Sequence, residues 1–267
     1  MNTFLFSVDF EEFYAAERQE TFRRTPLPEL AEGLLGFLRK AGMRCTFFVV
    51  GEIAARFPDT VRAIAAEGHE LACHTHTHRP LEEHTPASLR DDLERNLDAV
   101  RACTSSPVTG FRAPILSLTP GTAWAHEVLA ALGFKYSSSV LPGRNPLYGW
   151  PGFGPAARIV NGVTEIPVTL AALGPLRVPI AAGTYFRCLP VPLVRRAFDR
   201  CDRPIVGYFH PYDIDTAQER VMSRGVNGSR FMNSLLYVNR ARTLERLESI
   251  IARGFKIVPY SEFLAGH

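Results

Sequence analysis

Apolar and polar positions along the chain change period repeatedly, and the changes outline alternating strands and helices. "TFLFSVDF" near the start is apolar and β-prone, and the charges of "EEF" follow at once, so it reads as a first strand and not as a signal peptide. Residues 28–40 place Leu30, Leu34, Phe37 and Leu38 at helical spacing, with Pro28 near the start and Gly42 just past the end. "CTFFVVG" is a buried-strand run, a helix runs from Pro58 to Gly68, and "ELAC" is a short strand. Residues 87–103 return to the helical period through Leu89, Leu93, Leu97 and Val100. "VTGFRAP", "GTAWAHEVLAALG" and "FKYSSSV" then read as strand, helix and strand. "IVGYFH" and "FKIVPY" are later strands with a helix around residues 241–253 between them.

Strands alternating with helices imply βαβ units on a mostly parallel sheet. Seven or eight such units within 267 residues favour an α/β fold closed or partly closed into a (β/α)7–8 barrel, with residues 1–267 as a single domain. Two stretches break the pattern. Residues 141–160 are rich in Gly, Pro and aromatics, and Tyr148, Trp150 and Phe153 predict an ordered loop. Residues 215–233 are polar and carry Arg220, Arg224 and Arg230, which suit either a phosphate or a plain solvated loop.

Composition narrows the function classes. Hydrophobic residues make up 46% and charged residues 21%, as in a globular protein with a substantial core. A net charge of +3 gives no reason to expect a nucleic-acid partner, and no apolar run is long enough for a transmembrane segment. Cys45, Cys73, Cys103, Cys188 and Cys201 are scattered without CxxC spacing. A disulfide framework is therefore not expected, and a reducing, cytoplasmic compartment is.

In a parallel barrel, functional residues sit at the C-terminal ends of the strands. Asp9 and Glu11 end the first strand, His74 and His78 follow "ELAC", Arg112 ends the strand in "GFRAP", and His210 ends "IVGYF". These residues span 200 positions yet fall on one rim. In "HTHTH", His74 and His78 are four apart, so one helical turn would present both rings on the same side. Two imidazoles and a carboxylate make the three-ligand set of a catalytic zinc or similar divalent site. His76 would point elsewhere, and His69 should lie at the other end of its strand. Strand alternation puts Asp9 and Glu11 on one face and Glu12 on the other, favouring Glu11 as the ligand. Thr75 reads as a turn residue, and Asp213, three positions after His210, is a candidate to orient it. The competing account of the cluster is a fortuitous polar turn.

"SVDFEE", "HELACHTHTH", "GFRAP" and "GYFHPYD", in this order, resemble the motifs of the polysaccharide deacetylases with a NodB homology domain, in the branch whose first motif is Asp-x-Glu or Asp-x-Asp. "CTFFVVGEIAARFP", "YSSSVLP" and "GTYFRCLP" are similar to that branch as well, so the resemblance runs from residue 4 to about 213. It implies a distorted barrel of the NodB type. It also implies Asp9 as general base, Glu11, His74 and His78 as ligands of a divalent metal, most often zinc, Arg112 as support for the base, and His210 as general acid. By the same analogy the backbone N–H of Ile115 would face the oxyanion, with Trp150, Tyr185 and Arg187 as further substrate contacts. Two departures stand out: Ser137 replaces an Asp often found before the two serines, and Glu11 is one methylene longer than the more usual Asp.

The resemblance implies removal of an N-acetyl group from an amino sugar. The expected cytoplasmic location would favour a small, nucleotide-linked or lipid-linked substrate over a mature wall polymer. Deformylation of a lipid-linked sugar and opening of a cyclic amide are alternatives on the same centre, and a carbohydrate-binding protein without catalysis is a third. Retention of Asp9, both histidines, Arg112 and His210 argues against the last. Oligomeric state is not legible in the sequence.

Overall fold

A computed structural model describes residues 2–13, 26–144, 148–174, 176–223, 226 and 228–266. The first half is built of regular units: β1 (Thr3–Phe10), α1 (Leu27–Ala41), β2 (Thr46–Val49), α2 (Gly51–Arg56), α3 (Pro58–Ala66), β3 (Glu70–Cys73), α4 (Pro86–Arg101), β4 (Gly110–Phe111), α5 (Ala125–Ala131) and β5 (Tyr136–Ser137). The second half is less regular. Two short hairpins, β6 (Arg158–Val160) with β7 (Val163–Glu165) and β8 (Ala171–Leu173) with β9 (Leu176–Val178), precede α6 (Gly183–Cys188), α7 (Val191–Asp199) and β10 (Ile205–Phe209). After them come α8 (Arg230–Leu235), α9 (Thr243–Ile251), β11 (Lys256–Ile257) and α10 (Tyr260–Ala265).

The main sheet has the order β10-β1-β2-β3-β4-β5-β7-β6, with β11 joined to the start of β1. Every pairing is parallel except that of the edge strand β6. Beyond β7 the chain closes the gap without a regular strand. Val168 N–H donates to Val140 O at 2.9 Å and Thr169 N–H to Val206 O at 3.0 Å, while Ala182 bridges Tyr208 of β10. The result is a distorted, mostly parallel α/β barrel.

The alternation of β1 sorts its side chains. Phe4, Phe6, Val8 and Phe10 face the helices in the larger core, whereas Leu5 packs inside the barrel with Phe48, Ala72, Tyr136, Ile166, Val206 and Tyr260. Ser7 and Asp9 continue the inward row, so polarity rises toward the strand ends. α1 stops at Gly42, whose left-handed backbone (φ 64°) lets its N–H cap the helix carbonyls.

Several expected elements are shorter than their apolar runs. Only Gly110–Phe111 of "VTGFRAP" and Lys256–Ile257 of "FKIVPY" pair, and Tyr260 begins a helix. The expected loop over residues 141–160 ends as β6, turned back by Asn161 (φ 50°) and Gly162 (φ 84°). That Asn-Gly pair is the usual signal of a two-residue hairpin and stood in the sequence. Among the described residues, no helix is long and apolar enough to cross a membrane.

Candidate metal and catalytic site

The strand ends bring Asp9, Glu11, His74, His78, Arg112 and His210 together at one mouth of the barrel. Glu11, His74 and His78 offer three ligand atoms within 4.8 Å of one another. The His74 and His78 rings meet edge to face at 5.0 Å. They do not converge through a helical turn, as the four-residue spacing suggested. Residues 74–78 form an irregular loop in which Thr75 (φ 60°) and His78 (φ 52°) take left-handed backbone. Such a conformation costs a non-glycine residue about 1–3 kcal/mol and persists only where its surroundings enforce it.

Here α4 and α2 enforce it. Asp92 accepts from His76 N–H at 2.5 Å and from the Thr77 hydroxyl at 2.6 Å, and Asn96 donates to Thr75 O and Val49 O. Gly51 N–H donates to the same Thr75 carbonyl at 3.0 Å. A Cβ on Gly51 would lie 2.3 Å from His76 Nδ1, so only glycine permits this approach. His76 thus braces the loop from behind, and His69 sits at the far end of β3, accepting from Cys45 N–H.

His74 Nδ1 lies 2.8 Å from Arg112 O. A carbonyl only accepts, so Nδ1 carries the proton and the Nε2 lone pair is turned toward Glu11, 3.9 Å from Oε2. Burial holds the His74 pKa down at about 4, which keeps the ring neutral as a ligand must be. Glu11 Oε2 is buried against His78 Nε2 without a well-aligned donor, while Oε1 accepts from the Tyr212 hydroxyl at 3.1 Å. Burial would raise the Glu11 pKa, but the facing imidazoles, His78 foremost and then His210 and His74, outweigh it and bring it to about 2. A buried carboxylate oxygen facing two imidazoles, one with its tautomer fixed, fits a borderline divalent cation with a further position open. Glu12 points away and pairs with Arg56.

Beside this set, Asp9 Oδ1 accepts from Arg112 Nη1 at 2.7 Å. Arg112 is fully buried, and although burial disfavours its charge, Asp9 holds its pKa up. On the opposite side, His210 Nε2 lies 4.0 Å from Asp9 Oδ2 and 3.7 Å from Glu11 Oε1. Asp213 does orient His210: its Oδ2 faces His210 Nδ1 at 3.1 Å and accepts the His210 N–H at 2.8 Å. Burial would lower the His210 pKa, yet the Asp213 hydrogen bond and charge win and raise it. Asp213 is itself held ionised against burial by Arg187 Nε at 2.9 Å. A Cβ on Gly183 would lie 2.0 Å from Asp213 Oδ2, so glycine is required there too. Tyr212 stacks on His210 at 4.4 Å.

The expected substrate contacts divide. Ile115 is about half exposed at the rim, and it and Leu116 both take positive φ (49° and 56°). Tyr185 is partly exposed on α6, close to Tyr208, whose ring lies 5.7 Å from His210. Trp150 is half-buried, packed on Phe153 at 5.1 Å with the Arg158 guanidinium over both rings. Arg187 departs from the expectation. It is buried, spends its donors on Asp213, Leu236 O, Val238 O and Thr184, and so reaches the site only through Asp213. Arg220 and Arg230 are exposed, with Arg220 over the Tyr237 ring, and Arg224 lies outside the described residues. The sequence reading missed Asp92, Asn96 and Tyr212. The apolar period of α4 hid the first two, whose buried positions on the core-facing side were the available signal.

Comparisons with known proteins agree with this frame. Residues 20–137 match the family described as polysaccharide deacetylase, and residues 138–264 match a domain of unknown function, DUF3473. The first match holds His74, His78 and Arg112, the second holds His210 and Asp213, and Asp9 and Glu11 precede both. The chain is 35% identical over 111 residues to a chitooligosaccharide deacetylase of Bradyrhizobium sp. (strain ANU 289), covering 41% of this chain and 48% of that protein. It is 37% identical over 81 residues to a peptidoglycan-N-acetylglucosamine deacetylase of Bacillus cereus, covering 30% and 28%. The matched stretches thus span half or less of these relatives. In fold, a Mycobacterium smegmatis protein assigned as a polysaccharide deacetylase superposes with a TM-score of 0.61 at 19% identity, over 98% of this chain and 90% of that one. Residues 20–137 thus match the polysaccharide deacetylase family, and the barrel as a whole has the fold of a solved protein assigned to it.

Proposed function

We propose that this chain is a metal-dependent hydrolase that removes the N-acetyl group of an amino sugar in a glycan or glycoconjugate. The observation that carries the reading is the convergence of Glu11, His74 and His78 within 4.8 Å, flanked by Asp9 on Arg112 and by His210 on Asp213. The names of the relatives, a chitooligosaccharide and a peptidoglycan deacetylase, support the substrate class.

Glu11, His74 and His78 would hold the ion, with zinc the best fit to one carboxylate and two imidazoles. When bound, such an ion polarises an amide carbonyl and acidifies water. Asp9, held in place by Arg112, takes the proton of the attacking water. His210 keeps Nδ1–H on Asp213 and carries at Nε2 the proton that the leaving nitrogen needs. The Ile115 N–H at the rim is a donor for the developing oxyanion, and Tyr185 and Trp150 offer ring faces to a sugar. A small, lipid-linked or nucleotide-linked amino sugar in a reducing, cytoplasmic compartment is the narrower form of this reading, supported by five cysteines that are all unpaired.

The test is elemental analysis of protein purified without chelator, followed by acetate release from N-acetylated chitooligosaccharides and sugar nucleotides. About one zinc or similar ion per chain, lost in His74→Ala and Glu11→Ala together with acetate release, is the expected result. Wild-type protein that takes up no metal from excess zinc would overturn the mechanism and leave a carbohydrate-binding protein. Formate released in place of acetate would move the reaction to deformylation.

A further inference from the structure

Arg112 is buried to its last atom, and each of its five N–H groups has an acceptor. Nε donates to Ser138 O at 2.8 Å. Nη1 donates to Ser7 Oγ at 2.6 Å and to Asp9 Oδ1 at 2.7 Å. Nη2 donates to Ser138 Oγ at 2.9 Å and to the Tyr260 hydroxyl at 3.0 Å. Only Asp9 carries charge, so the other four acceptors fix the plane of the guanidinium without competing for its ion pair. A planar fork with every prong bound cannot turn without leaving a buried donor unpaired.

Tyr260 differs from the other partners. Ser7 and Asp9 lie on β1 and Ser138 directly follows β5, but Tyr260 comes 148 positions after Arg112, as the first residue of α10. Its N–H donates to Thr46 Oγ1 at 3.0 Å, and Ser261 N–H donates to Glu70 Oε2 at 3.1 Å. Both anchors are first residues of their strands, so α10 is pinned to the end of the barrel away from the site. From there the Tyr260 ring runs inward, stacked on Tyr136 at 5.3 Å and 5° and edge-on to Phe48 at 5.6 Å.

The structure assigns Tyr260 the part of a positioning residue: its hydroxyl holds the far prong of Arg112 so that the near prong meets Asp9 in register. The inference rests on the reading of Asp9 as the base. It gives the last helix of the chain a place in the active site that its position beneath the barrel conceals.

Tyr260→Phe tests it, with Tyr136→Phe as the control. The two rings belong to one stack, and each variant removes one buried hydroxyl, that of Tyr260 bonded to Arg112 and to Ser138 Oγ at 3.1 Å. Tyr136, however, donates to Glu70 Oε1 at 2.9 Å and has no bond to Arg112. Tyr260→Phe should lower kcat on N-acetylated chitooligosaccharides roughly tenfold, the worth of one hydrogen bond to a charged group, with KM and metal content unchanged. Tyr136→Phe should also lose thermal stability yet keep the wild-type kcat. Side-chain 15N spectra of Arg112 provide a readout independent of turnover: slow guanidinium rotation in the wild type and in Tyr136→Phe, fast rotation in Tyr260→Phe. Equal kcat losses in both variants, or unchanged rotation in Tyr260→Phe, would overturn the inference. A wild type that releases no acyl group would sink the deacetylase reading instead, and the Arg112 spectra would still decide whether Tyr260 holds the guanidinium.

Discussion

The two flanks of the site are held by different physics. On one side, that of the proposed base, Asp9 rests on one buried guanidinium whose remaining partners are neutral oxygens of Ser7, Ser138 and Tyr260. On the other, that of the proposed acid, charges alternate: His210 faces Asp213, and Asp213 faces Arg187. The first arrangement fixes geometry, because a rigid fork with every donor bound has one low-energy orientation. The second fixes protonation, because each charge stabilises the ionised form of the next. A base must present one oxygen to a water at a set angle, and an acid must above all hold its proton. With Asp9 as the proposed base and His210 as the proposed acid, each flank carries the support its task would need.

Removing the arginine on each side separates the two. Arg112→Met leaves Asp9 buried with the His210 imidazole no closer than 4.0 Å, and should destabilise the protein by about 3–5 kcal/mol in urea unfolding, as breaking a buried pair does. It should also lower kcat about 10²–10⁴-fold, the usual worth of a positioned base. Arg187→Met strips Asp213 of its cation but leaves it both bonds from His210, so its cost should be smaller, about 2–3 kcal/mol. Its kinetic signature should also differ: the alkaline limb of kcat should move to higher pH, because without the Arg187 cation the Asp213 charge is less offset and holds the His210 proton more tightly. Equal stability losses, or an unmoved limb in Arg187→Met, would erase the distinction between the flanks.

The same contrast separates what the sequence made legible from what it did not. β1, α1 and α4 stand close to their expected limits because their apolar periods are long, and β3 and β10 because charge, Gly or Pro bounds their short apolar runs. The strand-end rule was enough to bring Asp9, Glu11, Arg112 and His210 to one rim. His74 and His78 were named for a helical turn that does not exist. They converge because Asp92 and Asn96 fold a strained loop, and no period encodes that. β8, β9 and α6 are three to six residues long, too short to show a period. Tyr260 and Arg187 were beyond reach for another reason. Their partners are 148 and 26 positions away, and a tyrosine ending an apolar run looks the same whether its hydroxyl meets water or a buried arginine.

The smallest effect concerns two histidines at opposite ends of β3. Burial lowers the pKa of His69 and of His74 from 6.5 to about 4. For each, the unfolded chain binds more protons between pH 4 and pH 6.5, so stability rises with pH across that window and is lost as the pH falls through it. Metal-free protein titrated in chelator should show both contributions. His69→Gln keeps an acceptor for Cys45 N–H but cannot titrate, so it should remove one of them. It should make the protein more resistant to acid by on the order of 1–2 kcal/mol at pH 5, with little change at pH 7. Adding zinc should act on the other, since protons and a cation compete at His74 while His69 has no such ligand partner in reach. In the variant, zinc should therefore steepen the remaining pH dependence. A slope that zinc leaves untouched would mean that His74, for all its burial and fixed tautomer, does not take the ion.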